Sequence, residues 1–406
     1  MGTPRNESSD KKAVLNSWST HRFRYPFYAF RIWHGMIASS WFRILARNRF
    51  AISPARLPLA LVGSLLSLIN SFERVIQELI FAKDIAESVL DKPPIFIIGH
   101  WRTGTTYVHE LMTIDDRFTA PTTLECFAPA HFLVSGGLLR TLSFLLPTNR
   151  PMDNMLISWD SPQEDEFALL NLGFGSPYET LMFPNHRPVR NEFLNMTEIA
   201  PKEVEAWKAG LLWFLQRVNF RSNREKNLPG GSRRIVLKSP EHTARLHILR
   251  QMFPMAQYIH IVRHPYDVFA STVWTWRTLY ETQGLQKSWF GFLPNGGPSI
   301  EQYVLDNMDL LYRDFFMEVA KIPQDQFCEV RYEDIIRAPV AEMDRIYRHL
   351  SLGSLDSLQS KLTSDLRKRE GYEPNEYRIS EKHKAEVYRR WRWYFERYGY
   401  HSDLTG

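Results

Sequence analysis

The residues best placed to do chemistry lie in PPIFIIGHWRTGTTYVHEL, residues 93–111, where an apolar run leads into Gly99-x-x-x-x-Gly104-Thr105-Thr106. Strand, glycine turn and helix start in that order make an anion cradle. The N–H groups of the loop and the helix N-terminus converge on it, and the Thr105 and Thr106 hydroxyls add donors. The spacing is that of a phosphate-binding P-loop with Thr105 where a Lys is expected. A nucleoside triphosphatase uses that Lys on the outer phosphates, beside a Mg²⁺ ion. Here the cation is Arg102, inside the loop, which predicts a ligand other than a Mg²⁺-triphosphate and no metal.

Three further polar residues follow apolar runs. Lys238 comes after Ile235–Leu237, Arg263 after Tyr258–Val262, and Tyr332 ends the run Phe327–Tyr332. Together with Ile95–Ile98 these short β-branched runs predict strands buried on both faces. Helix starts are expected at Thr105, Pro240 and Pro265, prolines being favoured in a first turn. Strand–turn–helix repeats predict a parallel sheet with right-handed crossovers. Ligands bind such a sheet at the carboxyl ends of its strands. The anion loop, Lys238, Arg263 and Tyr332 are thus expected at one edge, around a ligand with two anionic groups and an aromatic base.

These residues resemble the sulfotransferases that use 3′-phosphoadenosine-5′-phosphosulfate (PAPS), most closely the bacterial-type and tyrosyl-protein-type branches. GHWRTGTTY looks like the family's 5′-phosphosulfate loop, and YIHIVRHPYDVFAS like its 3′-phosphate motif, with Arg263 and Ser271. VRYEDIIRAP resembles the Tyr-Glu-Asp signature whose Tyr, here Tyr332, approaches the adenine. The resemblance covers roughly residues 93–350. It implies a three-layer P-loop-like α/β domain, placed over residues 91–406; residues 1–90 lie outside the resemblance and read by composition as a basic, aromatic helical extension. The resemblance also implies PAPS as co-substrate, held by Arg102, Thr103, Gly104, Thr105, Thr106, Arg263, Ser271 and Tyr332.

The reaction implied is in-line sulfuryl transfer to an acceptor hydroxyl, which needs positioning and charge stabilisation more than covalent chemistry. By resemblance, Lys238 steadies the departing phosphate and Arg102 the sulfuryl oxygens. The general base is expected at Glu125, in the apolar stretch TLECFAPAHFLV, with His109 and the run Gln163-Glu164-Asp165-Glu166 as rivals. The family's C-terminal Arg-Lys-Gly clamp has no clear counterpart: Arg367-Lys368-Arg369-Glu370-Gly371 and Arg378 are the candidates. Trp274, Trp276, Trp289 and Phe290 are read either as an apolar lid or as core. The acceptor stays open among glycans, lipid-like alcohols, phenols and protein tyrosines.

The chain has 406 residues, a net charge of +5, 14% aromatic residues and two cysteines, Cys126 and Cys328. A disulfide scaffold and a Cys-based zinc cluster are excluded. Residues 1–50 hold nine Lys/Arg against Glu7 and Asp10, so the other 356 residues sum to −2. Basicity confined to one end argues against a nucleic-acid-binding face. MGTPRNESSDKK lacks the apolar region of a secretory leader, which predicts a cytoplasmic protein. The segment HRFRYPFYAFRIWHGMIASSWFRILARNRF suits either an anionic membrane surface or packing on the main domain with Arg heads in water. LPLALVGSLLSLINSF, sixteen residues between Arg56 and Glu73, falls short of a span and reads as a packed or interfacial helix, so peripheral membrane contact is expected over 21–72. Two other functions fit the same residues: a kinase with a degenerate P-loop, and a non-catalytic anion binder at a membrane surface.

Overall fold

The computed structural model describes residues 25–26, 28–224, 232–287, 298–369 and 377–403. Five strands form the sheet: β1 (Ile95–Ile98), β2 (Phe118–Thr119), β3 (Arg234–Lys238), β4 (Gln257–Val262) and β5 (Phe327–Arg331), in the order β2-β3-β1-β4-β5. Every pairing is parallel. β1 is central and fully buried, with Ile95, Phe96, Ile97 and Ile98 sealed by helices on both faces. The four strands expected from sequence are present within a residue or two. Tyr332 begins the helix Tyr332–Arg337 rather than ending β5, and β2 was not anticipated.

The helix after the glycine loop, Thr105–Met112, forms where the sequence places it. That expected from Pro240 is a 3₁₀ turn, Pro240–Thr243, followed by the helix Leu246–Met252. The one from Pro265 runs to Gln283. The C-terminal helix Glu381–Tyr398 packs its Trp391 and Tyr394 into the main core.

The expected N-terminal extension is not set apart from this core. Trp33 and Trp41 are buried in the same apolar cluster as Phe96, Leu237 and Val262. The Trp33 indole donates to the Gln283 carbonyl at 2.8 Å, and Ile32 N–H to the Gln283 side chain at 3.0 Å. The chain passes so close at Gly35 that an added Cβ would lie 1.6 Å from the Phe127 carbonyl oxygen.

The stretch after Arg56 continues without a break as a 31-residue helix, Leu57–Glu87. Its orientation reverses the usual pattern. Gly63, Ser67, Asn70 and Gln77 face inward, whereas Leu61, Leu65, Leu68, Phe72 and Leu79 face out. The inward polar groups are satisfied: Asn70 donates to the carbonyls of His34 and Met36 at 2.8 and 2.9 Å, and Gln77 to that of Ala130 at 3.0 Å.

Three histidines are enclosed and neutral. Burial pulls His34 down to about 3, with the charge of Arg31 helping; burial pulls His109 down to about 3, helped by Lys238; and burial takes His100 down to about 4. The folded values lie below the ordinary 6.5, so the unfolded chain takes these protons first. The stability they confer is complete above about pH 6.5 and is lost as pH falls towards the folded values. Each contributes a slope of about 1.4 kcal/mol per pH unit in that window. Thermal unfolding followed from pH 7 to pH 4.5 is therefore expected to show a steep fall in Tm below pH 6.5. A flat profile would mean that these imidazoles are solvated.

Candidate active site

The loop between β1 and its helix depends on two glycines with positive φ, Gly99 at 143° and Gly104 at 101°. At Gly104 an added Cβ would sit 2.3 Å from the Tyr332 ring, and at Gly99 2.6 Å from the Ile261 carbonyl oxygen. Glycine therefore lets the loop lie flat against both the β4 backbone and the tyrosine at the end of β5. Thr103 is fully buried, its hydroxyl donating to the His100 carbonyl at 2.8 Å. It braces the loop from behind, whereas Gly104, Thr105 and Thr106 line the cavity in front.

Arg102, Arg263, Ser271 and Tyr332 meet there. The Arg102 Nε donates to Ser271 Oγ at 2.9 Å, and Arg263 Nη1 donates to the Arg102 carbonyl at 3.2 Å. The Arg263 guanidinium lies 4.4 Å from the centre of the Tyr332 ring. Arg102 also pairs with Asp153 at 2.7 Å. Burial works to raise the Asp153 carboxyl, but Arg150 and Arg102 outweigh it and hold it below the ordinary carboxylate range. The buried Arg263 Nε has no hydrogen-bond partner among the described residues. With the arginines, the hydroxyls and the open loop, that donor fits an anionic nucleotide.

Lys238, at the end of β3, is buried, and its Nζ lies 2.6 Å from Glu164 Oε1. The other Glu164 oxygen accepts from the Tyr178 hydroxyl at 2.5 Å, and that hydroxyl accepts from the Trp101 indole at 2.9 Å. Burial, and then the charge of Glu164, push the Tyr178 phenol well above its ordinary value, which keeps it a donor. Glu164 occupies the N-cap of the helix Asp165–Leu172, so backbone geometry sets its position.

Of the acidic run, Gln163 and Glu164 line the cavity. Asp165 accepts from Ser239 at 2.9 Å and pairs with His242 at 2.8 Å, and Glu166 pairs with the buried Arg245 at 2.5 Å. Glu125 is elsewhere. It sits at the third position of the helix Thr123–Phe127, in a capping box with Thr122, and pairs with Arg221 at 2.7 Å. It lines a separate, smaller pocket with Arg140, Arg221 and Arg224, not the cavity holding Arg102 and Glu164. His109 also faces away, its Nε2 3.2 Å from the Val236 carbonyl oxygen.

The cavity encloses about 1410 Å³. Its lining includes the glycine loop, Arg263 and Tyr332, with Lys368 and Arg369. Arg369 is held by Asp365 at 2.5 Å and by Glu110. Arg378 is exposed and does not line it, and Glu370 and Gly371 lie outside the described residues. The lining also has an apolar set, Phe30, Ile32, Phe127, Phe167, Trp276 and Leu279, in which Phe127 meets Phe167 edge-on and Phe167 stacks on Tyr178. Trp276 thus serves the pocket and Trp274 does not, while Trp289 and Phe290 fall outside the described residues. Sequence reasoning missed Tyr178, Asp153 and, Trp276 apart, this apolar wall; Trp101 carried a signal inside the loop motif.

A sulfotransferase family model matches residues 93–356. The chain is also 38% identical over 389 residues to omega-hydroxy-beta-dihydromenaquinone-9 sulfotransferase Stf3 of Mycobacterium tuberculosis and of Mycobacterium bovis, covering 96% of each chain. The chain belongs to the sulfotransferase family. Two solved sulfotransferases share the fold: STF1 of M. tuberculosis at TM-score 0.58 and 15% identity, covering 96% of this chain and 98% of that one, and STF9 of Mycobacterium avium at 0.60 and 18%, covering 89% and 96%. The family reaction is sulfuryl transfer from PAPS to an acceptor hydroxyl. Membership of the sulfotransferase family decides against the kinase and the non-catalytic anion binder.

Proposed function

We propose that this sulfotransferase sulfates the hydroxyl of a lipid-like alcohol, with Glu164 as general base. The observation that carries this reading is one cavity lined by both the anion loop and the apolar set, with Glu164 bonded to Tyr178, whose ring stacks on Phe167. The mycobacterial relatives, named omega-hydroxy-beta-dihydromenaquinone-9 sulfotransferases, support the same class of acceptor. An aromatic, aliphatic wall offers a glycan few partners for its hydroxyls, and burying them unpaired is costly.

The donor's 5′ end belongs in the loop, against the N–H groups and hydroxyls of Thr105 and Thr106, with Arg102 on the sulfuryl oxygens. Arg263 and Ser271 take the 3′-phosphate and Tyr332 the adenine. Lys368 and Arg369 are C-terminal basic residues that line the same cavity. The acceptor oxygen attacks sulfur as its proton passes to Glu164. The bond from sulfur to the phosphate oxygen breaks, its electron pair stays on the phosphate, and Lys238 offsets the charge that develops. The products are a sulfate monoester and adenosine 3′,5′-bisphosphate. Lys238 and Glu164 are one hydrogen bond apart, so cation and base act on opposite ends of one displacement. This chemistry would be served at a membrane surface, where such an alcohol resides.

Replacing Arg263 by Ala removes a charge-assisted contact, and the affinity for adenosine 3′,5′-bisphosphate is expected to fall about 10- to 100-fold. Calorimetric titration without Mg²⁺ checks it, and unchanged affinity removes Arg263 from the donor site. The acceptor class is tested with labelled donor against a long-chain isoprenoid alcohol, a phenol, a tyrosine peptide and an oligosaccharide. Transfer to the sugar or peptide with none to the isoprenoid alcohol would overturn the reading.

A further inference from the structure

The outward face of the helix Leu57–Glu87 is the largest surface feature that the reaction leaves unexplained. Leu61 is 70% exposed, Leu65 60%, Phe72 67% and Leu79 81%, with Leu57, Val62, Leu68, Ile69, Val75 and Ile80 exposed beside them. From 57 to 80 the stripe is about 35 Å long at 1.5 Å per residue. Scattered apolar residues on a surface are ordinary, but an unbroken stripe marks a contact surface.

Charge indicates what it contacts. Residues 11–72 contain nine Lys/Arg and no Asp or Glu. The helix Ala38–Arg47 packs against the long helix and, with the turn after it, exposes Arg43 and Arg49 beside Phe42 and Phe50. Basic heads alternating with apolar and aromatic side chains, next to a continuous apolar face, match an anionic lipid surface. By length and composition the helix is able to cross a bilayer, but its inward face argues against that. Asn70 and Gln77 are hydrogen-bonded to the backbone of His34, Met36 and Ala130, and Glu78 is paired with Arg217 at 2.6 Å. Crossing would strip these bonds in a medium that offers no replacement.

We propose that the helix Leu57–Glu87 lies in the plane of an anionic membrane, its Leu61–Ile80 face in the acyl boundary, while its polar face stays bound to the protein. Phe30 and Ile32, from the basic segment, line the active-site cavity. Phe30 N–H donates to the Leu145 carbonyl at 2.7 Å, and Phe144 and Leu156 near that lining are 64% and 74% exposed. An alcohol dissolved in the bilayer then reaches Glu164 along apolar surface. This last step rests on the lipid-like acceptor proposed above; the docking face does not.

The full chain is tested by flotation with phosphatidylglycerol–phosphatidylcholine vesicles and with phosphatidylcholine alone. Binding to the mixed vesicles, weakened by salt and reduced on the neutral ones, is expected. The triple variant Leu61→Ser, Leu65→Ser, Phe72→Ser is expected to lose at least about tenfold in vesicle affinity, with bisphosphate affinity retained as the check on folding. If that variant does not fold, Arg43→Glu with Arg49→Glu is expected to abolish the preference for anionic vesicles. Failure to float on either vesicle, or variants that float like the parent, would overturn the proposal. So would a lipid-free dimer that the triple variant dissociates, which would assign the face to a second copy. Sulfation of a detergent-dispersed isoprenoid alcohol without flotation sinks the docking face alone. Flotation with no such alcohol accepted sinks the acceptor reading alone.

Discussion

Glu164→Gln is expected to lower kcat by about 10²- to 10⁴-fold, the usual contribution of a positioned base, while bisphosphate affinity stays within a factor of a few. The amide keeps the size and one acceptor for Lys238, while its NH2 group faces the Tyr178 hydroxyl, which then accepts instead of donating. What is lost is the capacity to take the acceptor proton. The matching experiment is Glu125→Gln, which can keep the capping-box bond from Thr122 N–H but loses the ion pair with Arg221. Its expected signature is a lower Tm with turnover per folded molecule preserved. Should Glu164→Gln turn over normally while Glu125→Gln does not, the base lies at Glu125 and the cavity-based assignment is wrong.

Lys238→Ala is the second large effect. A preorganised donor aimed at developing charge contributes about 3–4 kcal/mol to barrier lowering, so kcat is expected to fall roughly 10²- to 10³-fold. Because that charge appears only as the sulfur–oxygen bond breaks, KM for PAPS should move far less than kcat. Lys238→Arg separates this role from simple support of Glu164. It keeps a cation for Glu164 but carries a broader, differently placed head, so the carboxylate stays paired while rate recovers only in part. Wild-type kcat in Lys238→Ala would exclude the residue from leaving-group stabilisation.

What the sequence made legible was the sheet and its edge. Short apolar runs bounded by glycine and proline became β1, β3, β4 and β5; Arg102, Arg263 and Tyr332 after them line one cavity, and the buried Lys238 reaches it through Glu164. The backbone alone dictates that convergence, since parallel strands deliver their carboxyl ends to one side. The choice of base was less legible because several carboxylates lie within reach in sequence. Thr122-x-x-Glu125 ahead of an apolar run was nonetheless a readable capping-box signature, and it predicts a carboxylate turned back onto its own backbone. Glu164 has no such motif, and its place depends on a helix start packing against the end of β3. The long helix was misjudged in extent because Glu73 and Arg74 interrupt the apolar composition without interrupting the helix. The inward polar set at 63, 67, 70 and 77 marked its protein-facing side, although composition alone does not reveal which side meets what.

Phe30 and Ile32 line the active-site cavity, yet they lie more than sixty residues ahead of the stretch that the family model matches. On the reading proposed above, the matched portion supplies the sulfuryl-handling machinery, and the leading segment supplies part of the mould into which the acceptor must fit. A fragment trimmed to the recognised portion would keep its motifs and lose the groups that judge its customer. Divergence in selectivity among such enzymes is thereby free to accumulate upstream, where a change of one aromatic side chain re-cuts the mould without touching the chemistry.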